Sequence, residues 1–111
     1  MDNVKNDRYY VEKILNNIKY LLSLSQKYTR EEMLASETIM DSICFRFVQI
    51  AENASKLTAD FKNAHKEISW SSINGLRNRI VHDYGHTDET IVLDTLENDI
   101  PKLGEILESS I

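Results

Sequence analysis

Apolar side chains recur at three- and four-residue spacings through most of this 111-residue chain. From about Asp7 to Gln26, Val11, Ile14, Leu15, Ile18, Leu21, Leu22 and Ser25 share one face, which predicts an amphipathic helix whose first-turn amides can donate to Asn6 or Asp7. The pattern breaks around Tyr28 and Thr29. A second helix, with Glu31 and Glu32 near its positive end, is predicted to run as far as Thr58 or Phe61. Ile39, Ile43, Phe47, Ile50, Ala54 and Leu57 form its core stripe, with Met40, Cys44 and Ala51 beside it. Phe45 and Val48 project elsewhere, near Asp41, Gln49 and Glu52, and so predict a second contact surface toward another helix or another subunit.

Phe61 to Ser69 reads as a connection of mixed charge. Ser69 can cap a third helix from Trp70 to His82 or Asp83, ended near Gly85. Thr87 or Asp88 can cap a fourth, carrying Ile91, Leu96, Ile100, Leu103 and Leu107, which Pro101 kinks or divides. The expectation is all-α: one domain over residues 1–111, an antiparallel bundle of four to five helices.

Composition narrows this reading. With 41% hydrophobic residues, three Gly and one Pro, the chain has enough apolar surface for one core and no linker-like segment. Cys44 is the sole cysteine, which excludes an internal disulfide or a multi-cysteine metal site and suits a reducing cytosol. The opening residues lack a leader pattern and no apolar run is long enough to span a bilayer, so a cytoplasmic protein with no membrane contact is expected. The net charge of −5 argues against a broad nucleic-acid surface, but it is unevenly spread. Residues 83 to 111 hold eight acidic residues and one basic residue, Lys102, whereas 62 to 82 hold Lys62, Lys66, Arg77 and Arg79 against Glu67. A phosphate could be engaged there locally, and less well as salt rises.

The basic stretch coincides with the third helix. At about 100° per residue, Arg77 falls within about 60° of Trp70, Ile73, Ile80 and Val81, inside the apolar arc. A guanidinium cannot shed its proton, so a partly buried one needs an anion: Glu52 or Asp41, or a bound phosphate. Asn78 and His82, four residues apart, stack at the margin of the arc, and Arg79 faces solvent. Each also has a plain structural reading: Arg77 as an ion pair, His82 as a cation at a helix C-terminus, Asn78 as a surface amide, Tyr84 as a lid over the bundle end.

The string R-N-R-I-V-H-D-Y at 77 to 84 resembles the Arg-x-x-x-x-His-x-Tyr motif of the HepT-like toxins, a branch of the HEPN superfamily of helical ribonucleases. The resemblance extends back through Trp70, Ile73, Gly75 and Leu76 to F-V-Q-I-A-E-N-A-S-K-L at 47 to 57, and forward to D-I-P-K-L at 99 to 103, touching residues 8 to 107. The sequence departs from the family where His65 stands in place of a frequent Pro and Leu93 near a frequent aromatic. The resemblance implies a HEPN-like homodimer that cleaves RNA, tRNA or mRNA but not DNA, without metal or other cofactor. His82 would serve as general acid or base, since imidazole ordinarily titrates near about 6.5. Arg77 would hold the scissile phosphate and Asn78 would orient His82 or that phosphate by hydrogen bonds, with Glu52, a partner the wheel offers Arg77, in support. Attack by the ribose 2′-hydroxyl would leave a 2′,3′-cyclic phosphate. The resemblance further implies a toxin restrained by a minimal nucleotidyltransferase antitoxin that transfers AMP to Tyr84.

Two other readings stand beside it. One is a non-catalytic helical dimer with a vestigial motif, a nucleotide-binding or regulatory subunit of a nucleotidyltransferase, which the acidic balance favours. The other is a metal site on His82 and His86, which Gly85 between them and the lack of a third ligand oppose.

Overall fold

A computed structural model describes residues 6–111. Its first helix, α1 (Asp7–Lys27), starts where the Asn6 side chain accepts the Tyr9 amide at 3.0 Å. With Asn6 acting as the cap, the Asp7 carboxylate is released to reach residue 58, where it accepts the Thr58 amide at 2.8 Å and the Thr58 hydroxyl at 2.7 Å. Two elements far apart in sequence are thereby clipped at their starts.

The long second helix that periodicity predicts is in fact three pieces. Thr29 and Glu32 form a capping box, with the Glu32 amide 3.1 Å from the Thr29 hydroxyl and the Thr29 amide 2.8 Å from the Glu32 carboxylate. It opens α2 (Arg30–Leu34). Ser36 then accepts the Ile39 amide at 3.2 Å and restarts the chain as α3 (Glu37–Ala54). After a turn, Thr58 accepts the Phe61 amide at 3.1 Å and opens α4 (Ala59–Ala64), which runs past the predicted end at Phe61 into the expected connection. Serine and threonine hydroxyls that take over backbone amides start new helices without disturbing the spacing of the apolar residues around them.

α5 (Trp70–Asp83) has the expected bounds, but Ser69 does not cap it: its hydroxyl lies 2.7 Å from that of Ser72. The helix ends by tightening into a 3-10 turn, Tyr84–His86, closed by the Thr87 amide on the Tyr84 carbonyl at 3.1 Å. Gly85 keeps a negative φ, so glycine's left-handed freedom is not what ends it. Asp88, not Thr87, caps α6 (Glu89–Asn98), accepting the Thr90 amide at 2.9 Å. Pro101 divides rather than kinks the last pattern: it sits in the first turn of α7 (Ile100–Glu108), where a missing N–H costs nothing. The described residues therefore form seven α-helices and no strand, more than the four or five expected.

α1 packs along α3, and α6 and α7 pack on each other and on α1. Val11, Ile14 and Leu21 of α1, Met40, Ile43 and Ile50 of α3, Leu93 and Leu96 of α6 and Leu107 of α7 are fully buried and form one continuous core. α7 comes so near α1 that a Cβ at Gly104 would stand 3.3 Å from the Ile18 side chain. Arg30 fastens α2 to α6, donating to Asp94 at 2.8 Å, to Glu97 and to the Thr90 carbonyl at 3.2 Å. Cys44 is packed as a small hydrophobe. Burial, aided by Glu89 and Asp41, pushes its thiol up to about 11. None of the helices in the described residues is long and apolar enough to cross a membrane.

α5 is attached differently. It rests on α3, buries only Ile80, and leaves Trp70, Ile73 and Leu76 half-covered against the core edge. An open groove of about 760 Å³, floored by Phe47, Ile50, Leu76 and Leu103, lies between it and α6–α7.

Leu96 is fully buried in α6. Leu96→Ala is expected to lower the unfolding free energy by about 3 kcal/mol through lost burial and the cavity left behind, measured by urea denaturation. An unchanged midpoint would contradict the core assignment.

Candidate active site

Arg77 lies two turns before the end of α5, on the side that meets α3, with its side chain 27% exposed. One terminal nitrogen donates to the Asn78 carboxamide oxygen at 3.0 Å, and the other faces the Glu52 carboxylate at 3.5 Å. Its Nε is buried with no partner among the described residues. Glu52 is therefore the anion that the helical wheel calls for, while Asp41, the alternative, is engaged elsewhere. The Glu52 pair is long and half-exposed, a geometry worth little in stability. A phosphate oxygen that meets a guanidinium fork squarely can displace such a carboxylate.

Asn78 and His82 lie one turn apart on α5, as their spacing predicts, but no hydrogen bond joins their side chains. Asn78 gives its oxygen to Arg77, and His82 is exposed with no hydrogen bond to any described residue. The imidazole is unencumbered in a way that Arg77 is not. On an ideal helix the two lie about 7.5 Å apart along the axis and about 140° apart around it, so a single α5 does not close both on one phosphate.

Tyr84 stands on the 3-10 turn beyond the helix, 47% exposed, and its hydroxyl donates to the Asp41 carboxylate. That hydrogen bond first, and partial burial second, hold the phenol above its usual range, so the proton stays on the oxygen. The sequence places Asp41 among the candidate partners of Arg77 and does not reveal this contact directly. A signal exists nonetheless: if α5 lies antiparallel on α3 with Arg77 opposite Glu52, then two turns toward the end of α5 lead back along α3 toward Asp41. Between these two links the joint surface carries Phe45, 58% exposed, with half-covered Val48, and Val81, 47% exposed. The second contact surface predicted for Phe45 and Val48 is thus open, and it adjoins the motif.

The 760 Å³ groove on the other side of α5 includes none of Arg77, Asn78, His82 and Tyr84. Among the described residues no three His, Cys, Asp or Glu side chains are grouped to hold a metal ion, and the His82–His86 pair gains no third ligand. The α3–α5 edge offers an anion-binding guanidinium and a carboxylate-bound phenol, and the exposed end of α5 offers a free imidazole.

Comparison with known proteins gives this edge a context. The family model for HepT-like ribonucleases matches residues 14–110. Several relatives carry ribonuclease or RNase in their names. One, from Caldanaerobacter subterraneus, is 24% identical over 90% of this chain and 89% of its own length. One from Thermococcus cleftensis, named for ribonuclease HepT, is 26% identical over 85% of this chain and 86% of its own. One from Methanocaldococcus jannaschii is 27% identical over 94% and 89% respectively. No solved structure matches the chain significantly. A match that runs from the middle of α1 to the end of α7, and so takes in both the α3 carboxylates and the α5 motif, places this chain in the HepT-like ribonuclease family.

Proposed function

We propose that this chain is a single HEPN-like domain acting as a metal-independent endoribonuclease toxin. The observation that carries the reading is Arg77, held at the α3–α5 edge by Glu52 and Asn78 in a pairing loose enough for a phosphate to replace, five residues before a free His82. Arg77 holds the scissile phosphate and offsets the charge that develops on it. His82 removes the proton of a ribose 2′-hydroxyl or supplies one to the leaving 5′-oxygen, and the upstream fragment ends in a 2′,3′-cyclic phosphate. DNA, which lacks that hydroxyl, is not cut. Asn78 and Glu52 orient Arg77, and Glu52 is the counter-ion that the substrate displaces. The net charge of −5 keeps this engagement local and salt-sensitive.

One imidazole cannot serve as acid and base on opposite sides of one phosphorus at once. A homodimer that buries Phe45, Val48 and Val81 would set two α5 helices face to face and supply the second His82, completing a site that one chain leaves as an open edge. Tyr84, exposed two residues after His82, is the point at which a nucleotidyltransferase antitoxin adds AMP. The phosphodiester would put bulk and negative charge where the RNA phosphate sits. The charge balance favours the second reading, a regulatory subunit without catalysis, and the same experiments separate the two.

With purified protein and a tRNA or mRNA substrate, His82→Ala is expected to slow cleavage by about 10² to 10⁴-fold, and Arg77→Ala by about 10² to 10³-fold. Both should keep wild-type circular dichroism and relieve growth inhibition in cells. Undiminished cleavage by His82→Ala would reject the catalytic assignment. Phe45→Asp is expected to convert a dimer into a monomer in light scattering at micromolar concentration, with loss of cleavage. A wild-type monomer under those conditions would reject the shared site. Incubation with the nucleotidyltransferase and ATP should place AMP on Tyr84, read by peptide mass spectrometry, and modification at any other residue would reject that assignment.

A further inference from the structure

The Tyr84–Asp41 hydrogen bond has no part in the RNA-cleavage scheme. It joins the turn after α5 to the first half of α3, across 43 residues of sequence. Asp41 is exposed, and its carboxylate accepts the proton of the very hydroxyl that a nucleotidyltransferase would have to use as a nucleophile. A phenol whose proton is directed at a carboxylate keeps its oxygen lone pairs available on the other side, and here Tyr84 is 47% exposed.

We propose that Asp41 is the general base for nucleotidyl transfer to Tyr84. The inference rests on the reading of Tyr84 as the acceptor. The Tyr84 Oη attacks the α-phosphorus of a nucleoside triphosphate held by the nucleotidyltransferase. The Oη–phosphorus bond forms, the bond from that phosphorus to the bridging oxygen breaks, and pyrophosphate leaves with the electron pair. The hydroxyl proton passes to the Asp41 carboxylate, which returns it to solvent. A base is needed because the phenol, held above its usual range, does not ionise beforehand. The neighbour that keeps the proton on the resting oxygen is placed to receive it as the bond to phosphorus forms, when the oxygen becomes far more acidic. On this account the acceptor chain contributes a group to its own modification.

The test measures the initial rate of AMP addition to the full chain by intact mass, with the nucleotidyltransferase, magnesium and ATP. Asp41→Asn keeps an oxygen that can accept the hydrogen bond but is not basic, and is expected to slow transfer about 10²-fold with no rise in the KM for ATP. Asp41→Ala should be slowed similarly, and added formate should restore its rate about tenfold or more, acetate more strongly than formate as the stronger base. A purely structural contact is not rescued by a small carboxylate in solution. Circular dichroism matching wild type shows that both variants fold. Transfer to Asp41→Asn at the wild-type rate, or an Asp41→Ala rate unmoved by either carboxylate, overturns the inference and leaves Tyr84 as acceptor intact. A wild-type chain that gains no AMP overturns both.

Discussion

Everything at the functional edge depends on α3 having two usable faces. One is the apolar stripe of Met40, Ile43, Phe47 and Ile50, which packs against α1 and supplies the centre of the core. The other is polar, and presents Asp41 and Glu52 to α5. Because burial at tens of calories per square ångström fixes the first face rigidly, the second becomes a stable platform for a helix that buries little of its own. α5 buries only Ile80, and its position is completed by two polar links at either end of the contact.

Those links divide the labour of charge. Arg77 meets a carboxylate that is near enough to keep a half-buried cation from being orphaned and far enough to be exchanged. Tyr84 meets a carboxylate at hydrogen-bond contact, so its proton is held rather than lost. His82, between them in sequence, has neither kind of partner among the described residues. The end of α5 thus combines a restrained cation and a restrained phenol against α3 with a free imidazole facing solvent.

Much of this is legible in the amino-acid sequence, and the rest escapes it for identifiable reasons. The bounds of α1 and α5 follow from apolar periodicity, and Glu52 from the need of Arg77 for an anion. The division of the second helix is invisible because Ser36 and Thr58, which make the breaks, are polar positions that leave the spacing of Ile39, Ile43, Phe47 and Ile50 intact. Pro101 announces a disruption but not its kind, since a proline reads alike at a kink and in a first turn. A helical wheel offers Asp41 to Arg77 rather than to Tyr84, because it fixes which face a residue occupies and says nothing of the register between two helices. Asn78 and His82 share a face on the wheel yet share no hydrogen bond in the fold, because Arg77 takes the carboxamide oxygen.

Cys44 adds a practical property. It lies next in sequence to the exposed Phe45, but its side chain turns into the core and its thiol is held protonated well beyond neutral pH. Alkylating and oxidising reagents attack the thiolate, so the native chain presents them with an inert background. A single cysteine placed anywhere on the outer face of α3 or α5 would report on that face alone, so spin labels, fluorophores or cross-linkers could be installed beside the motif without first removing the natural thiol.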